Sequence, residues 1–412
     1  MNPVIQLRPH QERGLLAMTK YRIGQLVMPT GAGKTPTMFF DCLREFEKDT
    51  PQTVVVVAPR IMLAEQLSAE FLEFITNASV LHVHSGETSH YNTTNPNRIF
   101  AWNYHTKGHK LIFTTYNSLQ RLQQADIAVN TIYFDEAHNS VQRHFFPATK
   151  HFSSVADRCY FFTATPKHSA TISKPGMNDS RVYGQVICNV PAPELVNGGF
   201  IVPPQINVQK IDSIRDKDSA AERDCMTLLD TIVNEDNMQK VLVAAPNTKV
   251  LIRMLAETDF MPEVQSYGYD VLWITSKYGA FINNQKVSRE VFFDTLTAWG
   301  KDPDKKFIIL HYSILSEGIN CPGLTSCVLM RNMDYIAMAQ TIGRVIRLHP
   351  DDSKRLSDGT LTPGKTEDYV KSYGFIHVPV YSNVGIATAK RLQNVAETIF
   401  VHGEPAVSTI KR

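Results

Sequence analysis

The sequence contains no run of about eighteen consecutive apolar residues, the length a helix needs to cross a bilayer. Its N-terminus, MNPVIQLRPHQERG, lacks both an apolar export core and an Arg/Ser-rich amphipathic pattern. No membrane partner is therefore expected, and the expected location is the cytoplasm, bacterial or host-cell. Cysteine is scarce: six residues, at 42, 159, 188, 225, 321 and 327, show no CxxC or zinc-finger spacing and are too few for a disulfide scaffold. They read as reduced thiols. Charge of one sign is lacking too, since 42 Lys and Arg stand against 40 Asp and Glu for a net of +2. That balance excludes binding to nucleic acid by bulk positive charge, so any such partner must be held by a local patch.

What is present is ordinary globular material, 43% hydrophobic and 20% charged over 412 residues, enough for two domains and possibly three. Short apolar runs alternate with longer amphipathic stretches, the pattern of parallel strands joined by helices. Strands are expected at 24–29, 53–59, 110–115, 131–136 and 159–165, then at 240–246, 270–275, 306–311 and 326–331. Each is nearly continuous in apolar residues, as strands covered on both faces are. The segment NVPAPELVNGGFIVPPQINV (189–208), dense in Pro and Gly, divides the two series. The expected domains are 1–190 and 200–375, followed by an extension over 376–412. That extension holds a strand, FIHVPVY, and a helix with Ala389, Leu392, Ala396 and Ile399 along one face. The polar segments 84–110 and 350–372 read as loops or insertions.

After the first expected strand come Gly31, Ala32, Gly33, Lys34 and Thr35, preceded by Met28, Pro29 and Thr30. A strand entering a Gly-containing turn and then a helix brings backbone N–H groups and a helix N-terminus onto a polyphosphate. Lys34 adds a point charge to the β- and γ-phosphates, and the Thr35 hydroxyl a ligand to Mg²⁺. The loop is compressed, with threonine where the usual pattern has its first glycine. Pro36 is tolerable there, because N–H groups of a first helical turn have no intrahelical partner. Asp135 and Glu136 end a hydrophobic strand, where carboxylates sit beside such a loop in parallel sheets. Asp135 suits Mg²⁺ and Glu136 suits polarising an attacking water.

These residues carry a family likeness. PTGAGKT (29–35), DEAH (135–138), TATP (163–166) and QTIGRVIR (340–347) resemble, in order and spacing, the motifs of the superfamily 2 helicases and translocases. LRPHQ (7–11) looks like the adenine-reading Q-type motif, APRIMLAEQ (58–66) like motif Ia, TTYNSL (114–119) like motif Ib and SEGINCPGL (316–324) like motif V. Within the superfamily, LRPHQ and the EGIN–GRVIR pairing resemble restriction-subunit and phage branch-migration helicases more than the RNA-directed DEAD-box proteins.

The resemblance implies an α/β fold of two tandem RecA-like domains, each a mainly parallel sheet flanked by helices, with ATP in the cleft between them. It implies ATP and Mg²⁺ as cofactors and a nucleic acid across the upper face. Arg347 would be the arginine finger, Arg344 a second phosphate contact, and Gln340 a hydrogen-bond partner near the nucleotide and the attacking water. Gln11, with Arg8 beside it, would read the adenine edge, since an amide offers paired donor and acceptor. Gly318 and Asn320 of motif V would line the nucleotide site. Asn320 stands where many relatives have Asp, and accepts from a ribose hydroxyl without a charge. His138, Thr163 and Thr165 would couple the ATP site to the nucleic acid. For the nucleic-acid face the candidates are Arg60, Gln66, Thr114, Thr115, Tyr116 and Asn117, then Asn247, Thr248, Ser276 and Lys277 in the second domain.

Hydroxyl, amide and backbone donors contact phosphates without reading bases, which suits an enzyme that steps along any sequence. Trp102, Tyr104, Lys107 and Lys110 interleave aromatics with charge, as a packed loop or as a stacking surface. His105 and His109 lack companion ligands for zinc. The function expected is an ATP-dependent helicase or translocase on single-stranded or branched DNA rather than RNA, working as a monomer. The rivals are a non-unwinding motor subunit of a restriction or repair assembly, an RNA helicase, and a catalytically dead clamp, the last disfavoured by intact Lys34, Asp135, Glu136 and Arg347.

Overall fold

The computed structural model describes residues 6–171, 173–211, 220–233, 238–312, 323–381 and 385–410. The chain divides into two compact units, Met1–Val190 with Pro405–Arg412, and Pro191–Glu404. Among the described residues no helix is long and apolar enough to cross a membrane.

In the first unit, β1 (Ile23–Val27), β2 (Thr53–Ala58), β3 (Ala78–Val83), β4 (His109–Thr115), β5 (Thr131–Phe134), β6 (Arg158–Thr163) and β8 (Gln185–Asn189) form one sheet in the order β3-β4-β2-β5-β6-β1-β8. Every pairing in it is parallel. Helices α1 (Pro9–Lys20), α2 (Lys34–Glu45), α3 (Ile61–Leu72), α4 (Pro96–His105), α5 (Leu119–Gln124), α6 (Phe146–Val155) and α7 (Ser180–Tyr183) make the connections, with a short strand β7 (Lys167–Ser169) before α7. The run TVVVVA of β2 is buried on both faces, which is why it carries no polar alternation.

Five expected strands of this unit are present with ends moved by one or two residues. β3 and β8 were not expected, because Ser79, His82 and Gln185 interrupt their apolar runs. The segment 84–110, expected as a loop, contains α4. Asn95 caps it by accepting from the backbone N–H of Asn97 at 2.9 Å, and Pro96 occupies its first turn.

Helix α2, which follows the Gly-rich turn, is anchored by ions inside the core. Asp41 is fully buried and pairs with Arg158 Nη2 at 2.9 Å, while Glu45 meets Arg158 Nη1 at 2.7 Å. Tyr133 donates to the second Asp41 oxygen at 2.7 Å. One carboxylate per helical turn thus meets β5 and β6, and the helix cannot rotate without stranding a buried charge.

The second unit holds β9 (Pro204–Ile211), β10 (Lys240–Ala244), β11 (Asp270–Thr275), β12 (Gly279–Ile282), β13 (Gln285–Val287), β14 (Phe307–His311), β15 (Ser326–Leu329) and β16 (Gly374–Tyr381), ordered β13-β12-β11-β14-β10-β15-β16-β9. Only the β11–β12–β13 hairpins are antiparallel. The helices are α8 (Ala192–Asn197), α9 (Ala220–Val233), α10 (Thr248–Glu257), α11 (Phe260–Ser266), α12 (Arg289–Lys301), α13 (Tyr335–Val345), α14 (Pro350–Ser357) and α15 (Ile386–Ala396). Lys240, though on a buried strand, donates its ammonium to the carbonyls of Gly300 (2.9 Å) and Asp302 (2.6 Å), satisfying the C-terminus of α12.

Two expectations are corrected here. The segment 350–372 is not all loop, since α14 begins with Pro350 after the capping side chain of His349. Residues 376–412 are not a separate extension: β16 is an inner strand between β15 and β9, and α15 belongs to the same unit. A last strand, β17 (Ser408–Ile410), pairs in parallel with β7 of the first unit.

At the end of β3 a chain of neutral imidazoles is buried. The Gly86 N–H donates to His84 Nδ1 at 3.2 Å, so His84 carries its proton on Nε2 and donates to His82 Nδ1 at 2.9 Å. His82 Nε2 then donates to Ser68 Oγ at 3.0 Å. Burial, with His84 and His90 adding repulsion, lowers the His82 pKa to about 4. With the folded value below the ordinary 6.5, this stabilisation is complete above pH 6.5 and is lost as pH falls toward 4. We expect the wild type to lose on the order of 3 kcal/mol more stability across that range than His82→Gln, measured by denaturant unfolding at each pH.

Candidate active site

The turn between β1 and α2 is made possible by two glycines in the left-handed region, Gly31 at φ 89° and Gly33 at φ 80°. Side chains of α1 brace it from behind. Arg8 Nη1 donates to Gly31 O at 3.0 Å, His10 Nε2 lies 2.7 Å from Ala32 O, and Gln11 Nε2 reaches Ala32 O and Gly33 O, each at 3.2 Å. A Cβ at Gly33 would collide with the Gln11 amide. Gln11 is 2% exposed, and its Oε1 accepts the Arg8 backbone N–H at 2.9 Å. The amide expected to read an adenine edge is thus engaged in holding the loop, because burial obliges both its donors to find protein acceptors. Thr30, Gly31, Gly33, Lys34 and Thr35 are half-buried along the turn, and Ala32 is buried. Pro36 falls in the first turn of α2.

Lys34 Nζ lies 2.8 Å from Glu136 Oε1. Two acidic side chains therefore share one lysine, and the consequence falls on Asp135, whose pKa burial and the Glu136 charge push up to about 7 against the pull of Lys34. A divalent cation fits here: the Thr35 hydroxyl and the Asp135 carboxylate would hold it, and its charge would relieve the crowding of carboxylates that the lysine leaves in place. Among the described residues no group of three or more His, Cys, Asp or Glu is placed to hold a metal ion, here or elsewhere.

Glu136 adopts φ 44°, a left-handed conformation that turns the chain sharply off β5. Asn139 Nδ2 donates to Glu136 O at 3.0 Å and meets His138 Nε2 at 3.3 Å. With Nε2 accepting, His138 carries its proton on Nδ1, which faces Thr163 Oγ1 at 3.1 Å, Thr165 Oγ1 at 3.4 Å and Glu136 Oε2 at 3.6 Å. Thr163 Oγ1 accepts from the Thr165 N–H at 3.1 Å, and Thr163 O accepts from Met28 N at 2.9 Å. The structure thus brings Lys34, Asp135, Glu136, His138, Thr163 and Thr165 to one edge, the ends of β1, β5 and β6.

The nucleic-acid candidates separate by exposure. Arg60 and Asn117 are exposed where β2 and β4 end. Gln66 is half-buried and donates to Glu70 at 2.9 Å. Thr114, Thr115 and Tyr116 are buried, which corrects their expected place on the binding face. Thr114 Oγ1 is held by Val83 O at 3.0 Å, and the Tyr116 hydroxyl donates to Asp135 O at 2.8 Å. Tyr116 positions the acidic pair, a role that only the fold discloses.

In the second unit Asn247 caps α10 by accepting from Val250 N at 2.8 Å, and Thr248 opens that helix. Ser276 and Lys277 are exposed on the turn between β11 and β12. Gln340 and Arg344 are buried on α13, and Arg347 follows its end half-buried. The Arg347 backbone is fixed by Lys371, whose ammonium donates to Arg347 O at 2.8 Å and Leu324 O at 2.6 Å. Gly318 and Asn320 lie outside the described residues. In the segment 84–110, Trp102 packs against the core, Lys110 is held by Asn103 at 2.7 Å, and Tyr104 stays exposed with Lys107 5.5 Å above its ring.

Residues 4–168 match the family model described as "Type III restriction enzyme, res subunit". No curated protein sequence matches the chain. Among solved structures it is similar to the ATP-dependent Type ISP restriction-modification enzyme LlaBIII bound to DNA, at TM-score 0.73 and 16% identity, covering 98% of this chain and 31% of that one. It is similar also to a nuclease-deletion mutant of the Type ISP enzyme LlaGI with a DNA substrate mimic, at TM-score 0.65 and 17% identity over 98% and 30% of the chains. A fragment of a putative HsdR subunit of a type I restriction enzyme from Vibrio vulnificus matches at TM-score 0.62 and 16% identity, over 99% and 70%. The chain thus spans about a third of the length of the two Type ISP enzymes. Its fold is the α/β architecture of paired RecA-like sheets, and the chain resembles superfamily 2 helicases of the restriction-subunit kind.

The raised Asp135 pKa has a testable sign. A carboxyl whose folded pKa exceeds its unfolded value stabilises fully below the unfolded value, and that stabilisation is lost as pH rises through about 7. In protein free of metal and nucleotide, Asp135→Asn should therefore raise the unfolding temperature at pH 8, with the gain shrinking toward pH 4. Thermal unfolding in a chelator across that range checks it, and an unchanged or lowered midpoint at pH 8 contradicts the assignment.

Proposed function

We propose that the chain is an ATP-driven superfamily 2 motor that acts on DNA. The observation that carries this reading is the cluster at the ends of β1, β5 and β6, where a phosphate-type loop, a lysine bonded to a carboxylate and a second, buried carboxylate adjoin the His138–Thr163–Thr165 linkage. Lys34, held by Glu136 in the absence of nucleotide, turns to the phosphates of ATP. That transfer frees the Glu136 carboxylate to orient the attacking water. Thr35 and Asp135 would hold Mg²⁺, which when bound would supply charge neutralisation at the phosphates. His138 Nδ1 faces the Glu136 carboxylate and both threonine hydroxyls at once, so a change at the nucleotide that moves Glu136 shifts the balance of these contacts and is passed to the loop after β6.

Arg344 and Arg347 supply positive charge to the phosphates as hydrolysis proceeds, and Gln340 hydrogen-bonds beside them. DNA is favoured over RNA because the restriction-enzyme structures of like fold include one bound to DNA and one with a DNA substrate mimic. The same likeness favours translocation within a larger assembly over strand separation. Displacement of a labelled strand from a fork distinguishes the two.

Lys34→Ala should leave the fold intact and lose most ATP affinity and turnover, since water alone does not offset a missing charge before several phosphates. Steady-state hydrolysis with single-stranded DNA, forked DNA and RNA checks both parts of the reading. Near-normal turnover in folded Lys34→Ala overturns the site, and stimulation by RNA well above every DNA overturns the substrate. Arg347→Ala should bind ATP almost normally while kcat falls by about 10³ or more, because a finger acts on the transition state. A loss of affinity in full proportion to rate would make Arg347 a ground-state contact instead.

A further inference from the structure

The first unit has a basic cavity lined by none of the residues of the Gly-rich turn. It is an open groove of about 620 Å³ between the start of α6 and the segment that follows β7, with Arg143, Lys150 and Arg181 exposed along it. Arg143, Lys150, Lys174 and Arg181 line it together with a single acid, Asp179, and the ring of Phe146. Asp179 is already committed to Arg181, Nε to Oδ1 at 2.9 Å and Nη2 to Oδ2 at 3.0 Å. The lining therefore keeps a net positive charge in a protein whose overall charge is only +2.

The wall of this cavity is fixed before any ligand arrives. Ser169 and Asn178 exchange two hydrogen bonds, Ser169 N to Asn178 Oδ1 at 2.8 Å and Asn178 Nδ2 to Ser169 O at 3.0 Å. Met177 N reaches Lys167 O at 2.7 Å, and a Cβ at Gly176 would collide with Ser169 and Asn178. From the other side β17 pairs with β7, and Ala170 N donates to Ile410 O at 3.2 Å. Pre-formed walls spare a ligand the entropic cost of ordering them.

Position decides the ligand. Helix α6 starts where the chain leaves the DEAH segment, and β7 follows TATP, so the segments that line the cavity leave the edge of the sheet where β5 and β6 end. The exposed Arg60 and Asn117 leave β2 and β4 at that same edge. A cavity with one aromatic ring and several cations suits neither an apolar peptide nor a small neutral molecule. Repeated phosphates with bases between them match both of its features.

We propose that this cavity binds the phosphodiester backbone of a single DNA strand, adding a contact beyond the expected face of motifs Ia and Ib. The inference rests on the DNA reading above. Because each neutralised phosphate on a single strand contributes about 0.7 to the log–log salt slope, Arg143→Ala/Lys150→Ala should lower that slope by about 1.4.

The experiment measures anisotropy of a fluorescein-labelled oligothymidylate with the full chain between 50 and 200 mM salt, roughly the window in which such contacts are resolved. The control is Lys20→Ala, an exposed residue at the opposite edge of the sheet, where α1 ends. The expected result is weaker binding by the double variant, by about tenfold at the lowest salt, with the reduced slope. DNA-free ATP turnover and unfolding temperature should stay at wild-type values, and Lys20→Ala should bind as wild type does. The proposal is overturned if the double variant matches wild type in affinity and slope. It is overturned also if oligoglutamate of equal charge displaces the DNA as well as unlabelled oligothymidylate does, which would mark a site for acidic peptides. A wild-type chain that binds no DNA removes the motor's substrate as well as the cavity's, whereas a double variant that binds normally removes the cavity alone.

Discussion

The ion cluster of Asp41, Glu45 and Arg158 sets the direction of α2, and with it the position of everything that follows Gly33. A lysine at the first position of a helix points where the helix axis aims it. Here that axis is locked by two buried carboxylates one turn apart and by the Tyr133 hydroxyl. Removing one partner of such a set leaves an uncompensated charge in the core, at a cost of roughly 3–5 kcal/mol. The arrangement is thus a weak source of net stability and a strong source of orientation. It explains why a helix whose inner face carries Asp and Glu beside Met38, Phe39 and Cys42 still packs on a sheet.

The chemistry of the edge turns on two adjacent carboxylates beside Lys34. Glu136 bonds the ammonium at 2.8 Å, while burial and the Glu136 charge raise the Asp135 pKa to about 7. On the function proposed above, an anionic nucleotide would draw on the lysine and a divalent cation would offset the carboxylate charge. Behind this edge, the Tyr116 hydroxyl and the Met28 N–H fix the backbone at Asp135 and Thr163, which leaves side-chain contacts through His138 as the adjustable part.

Much of this was legible in the residues. Nine continuous apolar runs gave nine strands, since strands covered on both faces have no polar alternation to obscure them, and PTGAGKT, DEAH and TATP lie together as their order implied. Illegible were elements whose partners are remote. β3 and β8 contain polar residues that find their bonds only in the folded sheet, and His82 is an example, bonded to Ser68 from α3. Helices α4 and α14 carried their capping signals, Asn95-Pro96 and His349-Pro350, within stretches whose polarity suggested loops. Buried Thr114, Thr115 and Tyr116 show a further limit: a strand end that adjoins a binding edge need not turn its side chains toward it. Gln11 shows the converse, an amide placed beside the nucleotide loop that serves the loop itself.

Glu136 occupies a backbone conformation that ordinarily belongs to glycine. For an L-residue with a Cβ that conformation costs roughly 1–2 kcal/mol. Glycine at this position would relax the chain and deprive Lys34 of its counter-ion in the same step. Position 136 therefore trades backbone ease for charge: the residue that strains the turn off β5 is the one whose carboxylate meets Lys34 at 2.8 Å, so the kink and the ion pair stand or fall together.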